Sequence, residues 1–115
     1  MDDKNIKTLV KIVGFADKIL AYGKGRTQND FVGNNMLVEA CVFNMIQMGE
    51  AIRVLDVDFM DKHGKIPWHK IRGLRNRIVH NYDGVEVLLI WDIINYDLQD
   101  LVRKLRVIIN NRTTC

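Results

Sequence analysis

One stretch of the chain concentrates side chains that can transfer protons and bind phosphate. It runs from Lys65 to Gly84, reads KIPWHKIRGLRNRIVHNYDG, and holds two of the three histidines and the only proline. Between Asp61 and Asp83 there are six lysines and arginines and no acidic residue. Histidine has an ordinary pKa close to neutral, and the planar guanidinium group of arginine binds two phosphate oxygens at once. These groups together fit acid–base chemistry at a phosphate.

Cleavage of an RNA phosphodiester is one reaction that needs only such groups. A base removes the proton of the 2′-hydroxyl, an acid protonates the leaving 5′-oxygen, and a cation stabilises the charge that builds on phosphorus. His80 is a candidate for the proton transfers, with a helix cap or a surface residue as its alternative role. Arg75 is a candidate phosphate clamp. Trp68 or Tyr82 can stack on an unpaired base, with packing in the protein as the alternative.

The spacing of Arg75 and His80 sets a geometric condition. Successive residues of an α-helix are about 100° apart, so these two positions are about 140° apart and face different sides. Asn76 and Arg77 precede His80 by four and three residues and are its neighbours on the helix. Arg75 and His80 can therefore meet on one phosphate if the helix ends or unwinds near His80, or if a second subunit takes part.

The sequence shows no pattern typical of a metal site or a phosphate-binding loop. Cys-x-x-Cys, His-x-x-x-His and His-Glu-x-x-His are all missing from it. Gly23-Lys24-Gly25 lacks the length and the preceding strand of a phosphate loop. We therefore expect neither a metal nor a cofactor. Cys41, in an apolar run, and Cys115 do not form a disulfide framework, which fits a reducing cytoplasm.

Length and composition predict one soluble domain that spans residues 1–115. A chain of 115 residues can bury one substantial hydrophobic core. The net charge of +3 is only mildly basic, so the basic stretch rather than the overall charge argues for nucleic acid. The charged residues MDDKNIK are not followed by an apolar run typical of a signal peptide, and no apolar run reaches the roughly 18 residues of a membrane span. We expect a cytoplasmic protein.

Apolar residues recur at intervals of three and four along four segments, the spacing of amphipathic helices. The first segment covers about residues 5–22 and ends at glycines. The second covers about residues 30–55 and can divide into two helices near Gly33. The candidate N-caps are Asn5 for the first segment and Thr27 or Asn29 for the second.

The third segment opens at Pro67, which suits a first helical position, and should end near residues 80–82. A polar loop with room for a short helical turn, residues 56–66, precedes it. The last segment covers about residues 85–110 and begins apolar nearly all round, which places its start at the centre of a bundle or against a second copy. Short connections between four or five helices predict an all-α antiparallel bundle.

The basic stretch resembles the signature of a known family. Residues 75–82, Arg-Asn-Arg-Ile-Val-His-Asn-Tyr, are similar to the Arg-x₄-His-x-Tyr signature of HepT-like proteins in the HEPN superfamily. The lead-in at residues 66–76 looks like that of the family, and residues 48–51 resemble its Gly-Glu step in the preceding helix. The likeness covers the chain from about residue 40 to its end.

This resemblance implies a homodimer in which two copies of the signature face one cleft at the subunit interface. It implies a metal-independent endoribonuclease, the toxin of a toxin–antitoxin pair, whose usual partner is an MNT-type nucleotidyltransferase antitoxin. Arg75 and His80 carry over as catalytic residues, and Tyr82 as the residue to which the antitoxin transfers AMP. A bulky, negatively charged AMP would block the cleft and compete for the arginine. Supporting or RNA-binding roles are expected for Asn76, Arg77, Arg72 and Glu50.

A second interpretation of the same stretch is a non-catalytic interaction module. In that case a helical dimer would dock a nucleotidyltransferase or nucleic acid through its charge. A docking surface needs charge but no particular histidine or tyrosine. The intact signature therefore favours the enzyme.

Overall fold

The computed structural model describes the backbone at residues 3–80 and 86–114, and the side chains at residues 4–74 and 87–111. Every regular element in these ranges is helical, which confirms the all-α prediction. The α-helices are α1 (Asp3–Gly23), α2 (Gln28–Val32), α3 (Asn35–Ala51), α4 (Val57–Lys62), α5 (Trp68–His80), α6 (Glu86–Asp92) and α7 (Leu98–Thr114). A 3₁₀ turn (Ile52–Val54) follows α3, and a π-helical segment (Ile93–Asp97) joins α6 to α7.

Four long helical units make up the bundle. They are α1, α3, α5 and the continuous run from α6 through the π-helical segment into α7. Helix α3 packs against both α1 and α5, and α1 also packs against α7. The predicted helical bundle is therefore confirmed, with α2 and α4 as short additions in its connections. Within the described ranges, no helix combines the length and apolar character that a membrane crossing requires.

The core lies between the four units and is built from the apolar stripes that the sequence predicts. Its fully buried side chains include Leu9 and Ile12 of α1, Met45 of α3, and Leu98 and Leu105 of the last unit. Cys41 is also completely buried, and burial raises the pKa of its thiol to about 11. The expected buried free thiol is thereby confirmed for this residue.

The second predicted segment divides at the position that the sequence suggests. Thr27 caps α2, because its hydroxyl oxygen accepts the Asp30 N–H at 3.1 Å and its own N–H donates to the Asp30 carboxylate at 3.0 Å. This reciprocal pair is a capping box, and it lowers the pKa of Asp30. Asn34 then caps α3 by accepting the Leu37 N–H at 3.0 Å. Of the two candidate caps, Thr27 is the correct one and Asn29 lies inside α2.

Asn5 was predicted to cap α1, and this prediction is wrong. Helix α1 begins at Asp3, so Asn5 lies inside its first turns, with only 1% of its surface exposed. Its side-chain amide donates to the Asp56 carboxylate at 3.2 Å, and its side-chain oxygen accepts the Asp56 N–H at 3.1 Å. Asn5 therefore joins the start of α1 to the residue that precedes α4.

The last unit buries one side of its apolar start and exposes another. Ile90, Ile93 and Ile94 are buried in the core, and the Trp91 ring packs on Phe31 of α2 with centroids 5.1 Å apart. Gly23, at the end of α1, lies so close that a Cβ there would be 3.1 Å from the Ile94 side chain. The bundle therefore covers the inner side of this unit.

Candidate active site

Helix α5 carries the signature, and its first turn is fixed by the residues around Pro67. The Pro67 carbonyl accepts the Ile71 N–H at 3.2 Å, which is the first helical hydrogen bond. Pro67 thus occupies the cap position and α5 begins at Trp68, one residue later than predicted. The helix then runs without interruption to His80, as predicted.

Trp68 anchors the start of α5 to α4 and the loop after it. Its indole N–H donates to the carbonyl oxygens of Met60 and His63, each at 3.0 Å. Its ring is 9% exposed and lies 6.4 Å from that of Phe59. Of its two expected roles, the structure supports packing, because a ring held in this way has no free face for a base.

The other two histidines, His63 and His69, differ in their surroundings. His69 is exposed on α5. His63 is half-buried, with its ring 4.8 Å from that of Phe59. Burial, and then the charge of Lys62, lower the pKa of His63 and so favour its neutral form. His63 thus packs beside the anchor of α5.

Two of the expected supporting residues have described side chains. Arg72 is exposed on α5, one turn before the signature, where it is open to a ligand. Glu50 is half-buried near the end of α3 and forms an ion pair with Arg53 at 3.1 Å. Because α3 packs along α5, Glu50 belongs to the helix that supports the signature helix.

The backbone of α5 holds four of the expected site residues on one continuous helix. These are Arg75, Asn76, Arg77 and His80. Their side chains, and the whole of Tyr82, lie outside the described residues. Because the helix does not unwind before His80, the angle of about 140° between positions 75 and 80 applies to the backbone. Of the solutions predicted above, a helix end near His80 and a second subunit stay predictions.

A groove of about 460 Å³ lies beside the signature helix, between α5 and the last unit. Its floor is apolar, and its rim includes Tyr96 and several charged side chains. The sequence does not predict this groove, because its two walls are distant in sequence. Tyr96 lies within the π-helical segment and is exposed. Over the described residues, no group of three potential metal ligands is found.

The HepT-like ribonuclease family model matches residues 12–108. This chain belongs to the HepT-like ribonuclease family. The match covers all of α3, α5 and the π-helical segment, so the family assignment includes both the signature and the groove beside it. The resemblance that the signature indicated is thereby confirmed.

Relatives of this HepT-like chain are named as ribonucleases. "Putative RNase MJ1380" of Methanocaldococcus jannaschii is 28% identical over 109 residues, which cover 94% of this chain and 100% of that protein. "Putative RNase TTE0752" of Caldanaerobacter subterraneus is 35% identical over 86 residues, 75% of this chain and 77% of that protein. "Probable ribonuclease HepT" of Thermococcus cleftensis is 29% identical over 75 residues, 65% of this chain and 68% of that protein. No solved structure gives a significant match.

Proposed function

We propose that this HepT-like protein is a metal-independent endoribonuclease that uses His80 and Arg75. The observation that carries the proposal is the intact Arg-x₄-His-x-Tyr signature on an anchored helix, in a chain whose family is that of HepT-like ribonucleases. The family and the names of the relatives indicate a ribonuclease of the HepT type. The residue roles below follow from the chemistry of the signature.

In the proposed reaction, the 2′-oxygen of the RNA attacks the adjacent phosphorus. The imidazole of His80 accepts the 2′-hydroxyl proton, the bond from phosphorus to the 5′-oxygen breaks, and an imidazolium returns a proton to that oxygen. The guanidinium group of Arg75 binds the phosphate oxygens, whose negative charge increases as the fifth bond forms. The products are a 2′,3′-cyclic phosphate and a 5′-hydroxyl end.

We infer that two protomers form the active cleft. The continuous backbone from Trp68 to His80 supports this, because one regular helix points its positions 75 and 80 in different directions. Helix α3, which packs along α5, also exposes two large apolar side chains. These are Met36, 82% exposed, and Phe43, 59% exposed, which lie two turns apart on one face. Apolar residues exposed together are typical of a protein interface.

The enzyme is tested by incubating purified protein with RNA in the presence of a chelator. We expect cleavage that leaves cyclic phosphate ends, and its loss in both His80→Ala and Arg75→Ala. Circular dichroism would check that each variant keeps its helices. If the unaltered protein leaves RNA intact with and without added metal, the interaction module becomes the better interpretation. If cleavage requires an added metal, the protein is still a ribonuclease, but the proposed metal-independent mechanism is wrong.

The biological role proposed with this activity is that of a toxin silenced by a nucleotidyltransferase antitoxin. AMP on the Tyr82 hydroxyl would bring a negative charge to the site where Arg75 binds the substrate phosphate. We expect expression of the protein alone to arrest growth and His80→Ala to relieve the arrest. Mass spectrometry after incubation with the antitoxin and ATP should find added AMP on the unaltered chain and none on Tyr82→Phe. An adduct that persists on Tyr82→Phe would place the modification elsewhere.

A further inference from the structure

We propose that the groove between α5 and the last helical unit holds a single-stranded segment of RNA beside the cleavage site, with Tyr96 stacked on an unpaired base. The proposal rests on the proposed function, since it assigns a second contact surface for the same substrate. The groove has a volume of about 460 Å³ and is open to solvent along one side.

The groove is continuous with the helix that carries the signature. On α5 its wall is formed by Pro67, Lys70, Ile71 and Leu74, which are spaced at three and four residues and so form one row along the helix. On a regular helix that row continues to positions 77 and 78, which lie inside the signature segment. Lys70 and His80 are about 15 Å apart along the axis, from the rise of an α-helix. A strand bound in the groove would therefore reach the signature within a few nucleotides.

The opposite wall offers an aromatic ring that is open to a ligand. Tyr96 is 73% exposed, although it follows the buried Ile93 and Ile94. It lies within the π-helical segment, in which the Leu98 N–H donates to the Ile93 carbonyl five residues earlier. π-helical turns within α-helices occur frequently at functional sites. Aromatic rings that bind single strands stack on bases without regard to sequence.

The charged side chains of the groove favour a polyanion. Three lysines line it, Lys65, Lys70 and Lys104, against two carboxylates, Asp97 and Asp100. Lys104 bonds Asp100 at 3.0 Å, and Arg103 binds the same carboxylate, so that negative charge is already balanced. Among the described residues, neither Lys65 nor Lys70 forms an ion pair. Both therefore stay available for phosphate groups.

The distribution of apolar surface favours RNA over a protein partner at this place. The floor of the groove is closed, since Ile71 is 2%, Leu74 8% and Leu98 2% exposed. The strongly exposed apolar residues of α3, Met36 and Phe43, lie on a different helix. A rim of lysines with one ring suits a nucleic-acid strand, whose affinity comes from phosphate contacts and stacking.

The test measures binding of a fluorescent single-stranded RNA to protein that carries His80→Ala, so that no RNA is cut. We expect Tyr96→Ala to weaken binding by at least about fivefold, and Tyr96→Phe to retain it, because stacking needs the ring alone. The double change Lys65→Gln with Lys70→Gln should lower the slope of log affinity against log salt by about 1.4, the loss of two phosphate contacts on a single strand. The matched control is Lys7→Gln with Lys11→Gln, two exposed lysines of α1, which should leave that slope unchanged.

The outcomes separate this inference from the proposed function. If the unaltered protein cuts RNA while the Tyr96 and Lys65/Lys70 variants bind like their parent, the groove assignment is wrong and the ribonuclease stands. If the unaltered protein neither cuts nor binds RNA, the proposed function fails and the groove assignment fails with it. If the groove variants bind RNA normally but no longer sediment as dimers, the groove is a protein interface and the assignment is overturned.

Discussion

The indole nitrogen of Trp68 lies 3.0 Å from the carbonyl oxygen of His63 and donates its proton to it. The same N–H is shared with the Met60 carbonyl, so one side chain joins α4, the loop after it and the first turn of α5. This bond fixes where the signature helix begins. Because a helix advances regularly by turn and rise, it also fixes the direction in which positions 75 and 80 point.

We predict that Trp68→Phe destabilises the protein by about 1–3 kcal/mol, because two carbonyl oxygens lose their shared donor while most of the ring volume is kept. Urea unfolding followed by circular dichroism would measure the change. Trp91→Phe is a suitable comparison, since the Trp91 ring packs on Phe31. A loss no larger in Trp68→Phe than in Trp91→Phe would show that the hydrogen bonds do not hold α5 in place.

We predict that Asn5→Ala lowers the free energy of unfolding by about 1–3 kcal/mol, because it removes two partly buried hydrogen bonds to Asp56 and leaves the Asp56 N–H without its acceptor. Asn95→Ala is the control. The Asn95 amide donates to the Trp91 carbonyl of its own helical run, 2.9 Å away, so its removal breaks no link between units. Equal losses in the two variants would contradict a linking role for Asn5.

Asn5 also shows which parts of the fold could be predicted from the sequence. The Thr27 cap and the break near Gly33 depend on residues within three positions of each other, so the local sequence is sufficient for both. The partner of Asn5 is 51 residues away, and only the folded chain brings the two together. A polar residue at the start of an apolar repeat therefore suggested a cap, whereas the tertiary contact decided its role.

The candidate site likewise has one part that the sequence predicts and one part that it does not. The types and spacing of Arg75, His80 and Tyr82 are properties of one short segment, so the sequence alone indicated both the chemistry and the family. The groove is lined by Leu74 and Tyr96 from two helical units that are distant in sequence, and Tyr96 lies in the π-helical segment. No local pattern predicts that segment, because its apolar residues also fit an ordinary helix.

Cys41 gives a prediction on reactivity. Its pKa of about 11 means that the thiol remains protonated at pH 8, and only the thiolate reacts with disulfide reagents. In a Cys115→Ser chain, native protein should not react with such a reagent at pH 8, whereas protein in urea should react with one thiol per chain. Rapid labelling of the native protein would show that Cys41 becomes accessible without global unfolding.

The same thiol predicts how stability depends on pH. Its pKa is about 11 in the folded protein and 9.0 is its ordinary value, so between these values the unfolded chain has lost the proton that the folded chain retains. The folded state then binds more protons, and stability falls as pH rises through this range. Below pH 9 the thiol is protonated in both states, so the contribution of Cys41 to the free energy of unfolding is fully present. In Cys41→Ala, unfolding measured in urea should show a smaller fall from pH 9 to 11 than in the parent.

The last prediction tests whether one active site takes Arg75 and His80 from different protomers. Arg75→Ala and His80→Ala are each expected to be inactive alone. When the two are unfolded together and refolded as a mixture, half of the dimers contain one copy of each. If each site combines residues from both protomers, such a dimer has one site with both residues intact, and activity should return to about a quarter of that of the unaltered protein.

If Arg75 and His80 of the same chain act together, every site in the mixed dimer lacks one of them and no activity returns. Each variant, unfolded and refolded by itself in parallel, gives the background activity. Return of activity would support the solution that the uninterrupted backbone of α5 suggests, in which the subunit interface joins two positions that one helix holds apart.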